Sequence, residues 1–244
     1  MDIRGRSALI TGAGSGIGRA TAVMLADQGA AEVWILDRDE TGARETARQV
    51  RVAGAKPVVR VLDVTDFAEL EAVFEEADFE GGLDIVFNNA GMVVGLELFP
   101  DTSPARVHAI VDLNLKAVIF GTQHAVRQMR RRNGGVVVNT CSGAALHTGF
   151  RDWLYTATKA GVLAFSKSCA PLKDQCGVRV NTILPGLVDT PILKTTGDGE
   201  LADWMAPILA NNRALRPEDI AEAVVRIVED DSMAGEEVVV AASA

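Results

Sequence analysis

The chain has 244 residues, 48% apolar and 23% charged, which suits one α/β domain with a large core better than two small ones. Its formal net charge of -9 excludes a partner recognised mainly through phosphates, since nucleic acid would be repelled, although backbone amides can still hold a small anion locally. Three cysteines without metal-ligand spacing, and no apolar stretch of membrane-span length, point to a cytoplasmic protein with reduced thiols, no metal and no membrane partner.

Short runs rich in Val, Ile and Leu alternate along the chain with longer amphipathic ones. Strands are expected at Ser7–Ile10, Glu32–Leu36, Pro57–Leu62, Asp84–Phe87, Gly135–Asn139, Val178–Ile183 and Glu237–Val240. Helices are expected near Ile17–Gln28, Glu40–Ala53, Phe67–Glu76, Ala105–Arg131, Asp152–Gln175 and Pro217–Glu229. Continuous apolar strands are the pattern of a parallel sheet buried on both faces. Their alternation with helices implies a single doubly wound α/β domain over 1-244, with a central parallel sheet of about seven strands. In such sheets ligands bind beyond the carboxyl ends of the strands, which directs attention to the residues that follow each strand.

After the first strand comes Thr11-Gly12-Ala13-Gly14-Ser15-Gly16-Ile17-Gly18, then a helix. The spacing is G-x-x-x-G-x-G, not the strict G-x-G-x-x-G. Glycines here allow a tight turn and let a pyrophosphate approach the amides of Ser15 to Gly18 at the helix start, as in a Rossmann-type domain; a turn without ligand would need the same residues. Asp37 follows the second strand, nineteen residues beyond Gly18. Its carboxylate can accept from the adenosine ribose hydroxyls and repel a 2′-phosphate, which favours NAD; the adjacent Arg38 could attract that phosphate instead. At the third strand end Asp63 can accept from an adenine amino group while Val64 packs on the ring, unless Asp63 only caps the next helix. The fourth strand ends in Asn88-Asn89-Ala90-Gly91, small enough for backbone to approach a ligand.

Tyr155 and Lys159 stand four apart, on one face of a helix, and Ser142 lies thirteen residues before Tyr155, just after a strand. Hydride transfer to a carbonyl leaves charge on oxygen that must be protonated, and the reverse reaction needs that proton removed. A phenol with a pKa of about 10 needs nearby positive charge to do this near neutrality, which Lys159 and an oxidised nicotinamide would provide. Ser142 would hold the substrate oxygen. Tyr155 is the only tyrosine in the chain. A half-buried helix tyrosine beside a surface lysine would give the same spacing, so the order of the preceding strand-end residues carries the weight.

With these residues in place the chain resembles the short-chain dehydrogenase/reductase family. The family's T-G-x-x-x-G-I-G matches Thr11 to Gly18, its N-N-A-G matches Asn88 to Gly91, its serine falls on Ser142 and its Y-x-x-x-K on Tyr155 to Lys159. The resemblance alone implies that Asn114 is a fourth catalytic residue, holding a water that links the lysine to a proton relay. It also implies cofactor contacts from Pro185, Gly186, Val188 and Thr190 after the sixth strand. Pairing of subunits through the helices of Asn114 and Tyr155 would make a homo-oligomer, a dimer or tetramer, and Pro171 is expected to kink the second of these. Gly177-Val178-Arg179-Val180-Asn181, Asp189-Thr190-Pro191-Ile192-Leu193 and the tail from Glu229 look most like the 15-hydroxyprostaglandin dehydrogenase branch. The segment between Leu193 and Leu215 is shorter than in that branch, which argues against a long lipid substrate.

A small substrate-covering segment is expected at about 188-214. Val93, Ala144, Leu146, His147, Phe150, Trp153, Ile192 and Leu193 are the candidate pocket residues, mostly apolar, which suits a hydrophobic secondary alcohol or ketone as the small-molecule substrate. Trp204 and Met205 can line it too, or can be the segment's own packing. Two other functions fit the same motifs: an NADPH-dependent reductase of 3-oxoacyl or other ketones, and a non-catalytic dinucleotide sensor.

Overall fold

The computed structural model describes residues 1–95, 97–132, 134–146, 150–197, 200–211 and 213–242. Seven strands, β1 (Ser7–Thr11), β2 (Glu32–Asp37), β3 (Lys56–Val61), β4 (Ile85–Asn88), β5 (Gly135–Thr140), β6 (Val178–Pro185) and β7 (Glu237–Val240), form one sheet. Its order is β3-β2-β1-β4-β5-β6-β7 and every pairing is parallel. The chain order reverses between β1 and β4, and this switch point is where a doubly wound sheet opens a crevice.

Alternate strand residues face opposite layers. Ala8, Ile10, Val33, Ile35, Ile85 and Phe87 pack with Ala22 and Leu25 of α1 (Gly16–Asp27), Val50 of α2 (Glu40–Val52) and Ile220 and Val224 of α8 (Pro217–Glu229). Leu9, Trp34, Leu36, Val86 and Val137 pack with Leu70 and Phe74 of α3 (Phe67–Phe79) and Ala125 and Met129 of α5 (Ala117–Met129) on the other face. The central strands are buried throughout, as their unbroken apolar runs require. β3 and β7 are edge strands with partly exposed patterns, since each lacks a neighbour on one side.

Two expected helices are not single α-helices. The stretch from Ala105 divides into α4 (Pro104–Val111), a π-helical turn over Asp112–Lys116 and α5. The Tyr155 helix, expected to run to Gln175, ends as α6 (Trp153–Ser168), and Pro171 is the N-cap of the short α7 (Leu172–Cys176). Proline has no N–H to continue the ladder, so it stops α6 where a kink was expected. A buried polar chain fixes these helices on the sheet. Asn88 Nδ2 donates to Thr122 Oγ1 at 3.2 Å and to Asn139 Oδ1 at 2.9 Å, and Asn139 Nδ2 donates to Ser166 Oγ at 2.9 Å. It joins β4, β5, α5 and α6, the elements that carry the site residues.

Candidate active site

The glycine turn lies at the switch point, between β1 and α1. Gly12 has φ +64, and a Cβ on it would stand 2.9 Å from Ala90 Cα at the end of β4. A Cβ on Gly18 would meet Gly12 O at 2.2 Å, so the turn closes on itself only without side chains there. Ser15 is the N-cap of α1, its side chain makes no cap hydrogen bond, and the first turn holds no acidic residue. Unpaired amides and the positive helix end suit a phosphate at this point. Ile17 packs against the core from the same turn.

Asp37 is the last residue of β2. Its Oδ2 accepts from Gly14 N–H at 2.7 Å and its Oδ1 from Asp39 N–H at 2.9 Å, so the carboxylate lies against the turn. Arg38 is exposed. Arg19, the other cation nearby, is engaged: its guanidinium donates to Thr46 Oγ1 at 3.0 Å, to Gly42 O at 3.3 Å and to Gly14 O. Asp63 Oδ1 accepts from the N–H and hydroxyl of Thr65, while Asp66 caps α3, so Asp63 is not the helix cap. Val64 is buried in the layer beneath α3.

At the end of β4, the N–H groups of Asn89 and Ala90 donate to Thr11 Oγ1, each at 3.0 Å, and Asn89 Nδ2 donates to Thr11 O at 3.1 Å. Gly91 follows, and a Cβ on it would stand 3.3 Å from Asn114 Oδ1 and 3.4 Å from Lys159 Nζ. Asn114 sits in the π turn, fully buried. Its side chain accepts from Met92 N–H at 2.9 Å and donates to Met92 O at 2.8 Å and to Thr158 Oγ1 at 3.3 Å. π turns often mark functional positions, and here the turn brings Asn114 to the cleft wall. Across the site, Pro185 ends β6, Gly186 N–H donates to Val240 O at 2.8 Å, and Thr190 rests against Gly16. Val188 is buried in the core layer of α1 and α8, so only its backbone is left to meet a ligand.

Tyr155, Ser142 and Lys159 converge beyond β5. Ser142, whose Oγ accepts from Ala144 N–H at 3.2 Å, lies beside the phenol of Tyr155, and Lys159 Nζ lies 5.7 Å from the centre of the tyrosine ring. Lys159 is 2% exposed and donates to Thr140 O at 2.9 Å. Burial acts on both groups. It pushes Tyr155 up to about 12, with Ser142 partly opposing, and brings Lys159 down to about 8. A lysine buried this deeply is not a snorkelling surface residue.

The apolar wall differs in part from the expected one. Phe150 packs on Tyr155 with ring centres 5.9 Å apart, and Trp204 meets Phe150 edge-on at 5.5 Å. Trp153 does not face this cluster: it is 58% exposed and packs on Phe99 at 5.6 Å. Residues two apart on a helix point to different sides, so Trp153 and Tyr155 cannot share one face. Trp204 takes the place expected for Trp153, whereas Met205 is buried as packing. Val93 is buried; Ala144 and Leu146 lie on a 3-10 turn, Gly143–Leu146; Ile192 and Leu193 lie on another, Pro191–Thr196. His147 falls outside the described residues. Asp152 and Arg106, which sequence reasoning did not single out, hold the segment after β4; a D-x-x-Y spacing at a helix start signals only the cap.

The described residues contain no helix long and apolar enough to cross a membrane. Residues 6–201 match the short chain dehydrogenase family model. The chain is 36% identical over 229 residues to cis-4-hydroxycyclohexanecarboxylate dehydrogenase of Sinomonas cyclohexanicum, covering 92% of this chain and 90% of that one. It is 33% identical over 250 residues to the 15-hydroxyprostaglandin dehydrogenase [NAD(+)] of Bos taurus, covering 96% and 90%. Among solved structures, a 7α-hydroxysteroid dehydrogenase complexed with NADH and 7-oxo glycochenodeoxycholic acid superposes with a TM-score of 0.89 at 27% identity, covering 98% and 95%. The chain therefore belongs to the short-chain dehydrogenase/reductase family, as a hydride-transfer oxidoreductase of secondary alcohols and ketones.

Proposed function

We propose that this enzyme uses NAD(H) and acts on apolar secondary alcohols and their ketones, with Tyr155 as its acid–base group. The observation that carries the reading is the convergence of Tyr155, Ser142 and a buried Lys159 beyond β5. The glycine turn fits a dinucleotide, because Gly12 and Gly18 let it close tightly and the uncapped start of α1 at Ser15 suits a phosphate. Asp37 supports NAD over NADP: its carboxylate lies on Gly14, and Arg19 is already bound to backbone and to Thr46. Asp63, Val64, Asn89, Ala90, Gly91, Pro185, Gly186, Val188 and Thr190 complete the proposed binding surface.

When bound, the nicotinamide exchanges hydride with the substrate carbon, and its oxidised form adds positive charge near Tyr155. For ketone reduction, neutral Tyr155 gives its proton to the carbonyl oxygen while Ser142 hydrogen-bonds that oxygen. For alcohol oxidation Tyr155 must accept a proton, and a phenol at about 12 is a poor acceptor near neutrality. Lowering it to near 7 takes about 7 kcal/mol. One cation at roughly 5 Å, in an effective dielectric of about 20, contributes about 3 kcal/mol. The Lys159 ammonium thus supplies about half, and a second positive charge is needed for the rest. Thr140 O holds that ammonium in place. Asn114, which fixes Met92 and Thr158, takes the role of holding a water that passes protons between Lys159 and solvent.

Residues 188–214 form the substrate-covering segment in this reading. Its base is closed by pairing of Val188 with Leu215 and by Asp189 N–H donating to Leu215 O at 2.9 Å. Phe150 and Trp204 support a ring-sized substrate with an apolar face beside Tyr155, in keeping with the hydroxycyclohexanecarboxylate that names one relative. Three unpaired cysteines suit a reducing cytoplasm, and a homo-oligomer follows from the family resemblance. The exposed Arg38 favours the NADPH-dependent alternative, which a comparison of NADH and NADPH rates decides. The main test is Tyr155→Phe: turnover of an alicyclic alcohol should collapse while NADH binding, followed by fluorescence, stays close to wild type. Preserved turnover would remove Tyr155 from the chemistry.

A further inference from the structure

Asp152 is 1% exposed, and its two oxygens are committed to two different elements. Oδ1 accepts from the Tyr155 N–H at 2.9 Å and caps α6. Oδ2 accepts from the Val94 N–H at 2.7 Å, on the segment that follows β4. Arg106 of α4 holds the same segment from a second side, donating to Val94 O at 2.7 Å and Val93 O at 3.0 Å. Asn114 holds it one residue earlier, through both backbone groups of Met92. A helix cap needs one acceptor, and Ser, Thr or Asn would serve. Burying a whole carboxylate, whose desolvation raises its pKa, is costly for a cap alone and calls for a second use.

We propose that Asp152 is a positioning residue, bridging Val94 to the start of α6 so that the Tyr155 hydroxyl is set against the wall formed by the segment after β4. The inference rests on the reading of Tyr155 as the proton-transfer group. Its charge has a second effect, since a carboxylate near the phenol favours the neutral form. The groups facing the phenol are Ser142 and Cys141 from the segment after β5, and Lys159 and Asp152 from α6 and its cap; Arg106 faces Asp152 from α4.

Tyr155 is the only tyrosine, so ultraviolet titration of tyrosinate in the intact protein follows this one hydroxyl without any turnover. Asp152→Asn removes the charge and presents only one acceptor to two backbone donors. The tyrosinate midpoint should fall by roughly half a unit to one unit. Turnover number should fall roughly tenfold to a hundredfold, as expected for a misplaced reacting group, with the NADH dissociation constant within about twofold of wild type. Asp152→Ser retains the cap, guards against a folding failure and loses the bridge, so it should show the same loss of kcat. Adding Arg106→Met to Asp152→Asn should cost little beyond the larger single effect, because both act on Val94. A lower melting temperature with unchanged kcat per folded enzyme, or an unmoved tyrosinate midpoint in Asp152→Asn, would overturn the proposal. Absence of turnover in the wild type would instead count against the reading of Tyr155. An unmoved midpoint in Asp152→Asn would still refute the bridge, so the two failures separate.

Discussion

Replacing Lys159 by Met should stabilise the cofactor-free protein at neutral pH while destroying its activity. Burial brings the ammonium from its ordinary 10.5 to about 8. The folded state therefore binds this proton less tightly than the unfolded chain does. The resulting cost is complete below pH 8 and is relieved as pH rises from there to 10.5. A difference of this size corresponds to about 3 kcal/mol. Methionine fills the space without charge but leaves Thr140 O without its lysine donor, a loss of about 1–2 kcal/mol. The net gain near pH 7 is about 1–2 kcal/mol, or roughly 2–8 °C in melting temperature for a chain of this size. Between pH 7 and 9 the gap between variant and wild type should shrink by about 1 kcal/mol, as the wild type sheds its buried proton. The raised pKa values of Cys141, Cys169 and Tyr155 act in the opposite direction at higher pH; Cys169 does so equally in both proteins, whereas loss of the Lys159 charge raises Cys141 further in the variant, which shrinks the gap in the same sense. Thermal unfolding without NAD, at several pH values across this window, measures the effect. A gap that stays flat or widens with pH would refute the assignment of a buried ammonium. Turnover near neutrality should fall roughly a hundredfold, because the phenol loses its nearest cation.

Asp37→Ser should raise the NADP-to-NAD ratio of kcat/KM by roughly tenfold or more, by removing a charge that repels a 2′-phosphate. An unchanged ratio, measured with both cofactors, would assign the preference to Arg38 or another group. Trp204→Ala removes the ring that packs edge-on against Phe150. It should raise KM for an alicyclic alcohol roughly tenfold, from an aromatic contribution of about 1 kcal/mol plus lost apolar area, and leave NADH binding unaltered. Equal KM values in variant and wild type would place the substrate elsewhere.

The residues legible in the sequence are those that end parallel strands. There an unbroken apolar run gives way to polar and small residues, and those just past the carboxyl end of the strand reach the rim of the crevice. Asp37, Asn89 and Ser142 were readable for this reason, and Tyr155 because Lys159 repeats its helix face. The π turn at Asn114 was not readable. Val111 to Lys116 contains neither glycine nor proline, and the turn forms where Asn114 bonds Met92, whose position depends on β4. That Trp204 packs on Phe150 while Trp153 packs on Phe99 depends on where residue 204 folds back, which no local pattern encodes.

Asp152 shows the same limit most clearly. Three residues before Tyr155 it reads as a helix cap, and it is one. What separates it from any other cap is a bond to Val94, 58 residues away, in a segment gripped by Arg106 from a third element. Strand ends present chemistry because local geometry forces them to. The groups that aim such chemistry are recruited from distant parts of the chain, and each can be replaced in its local role by several other residues. A carboxylate retained at full burial where a serine would cap equally well is therefore the physical sign that position 152 serves the tyrosine as well as the helix.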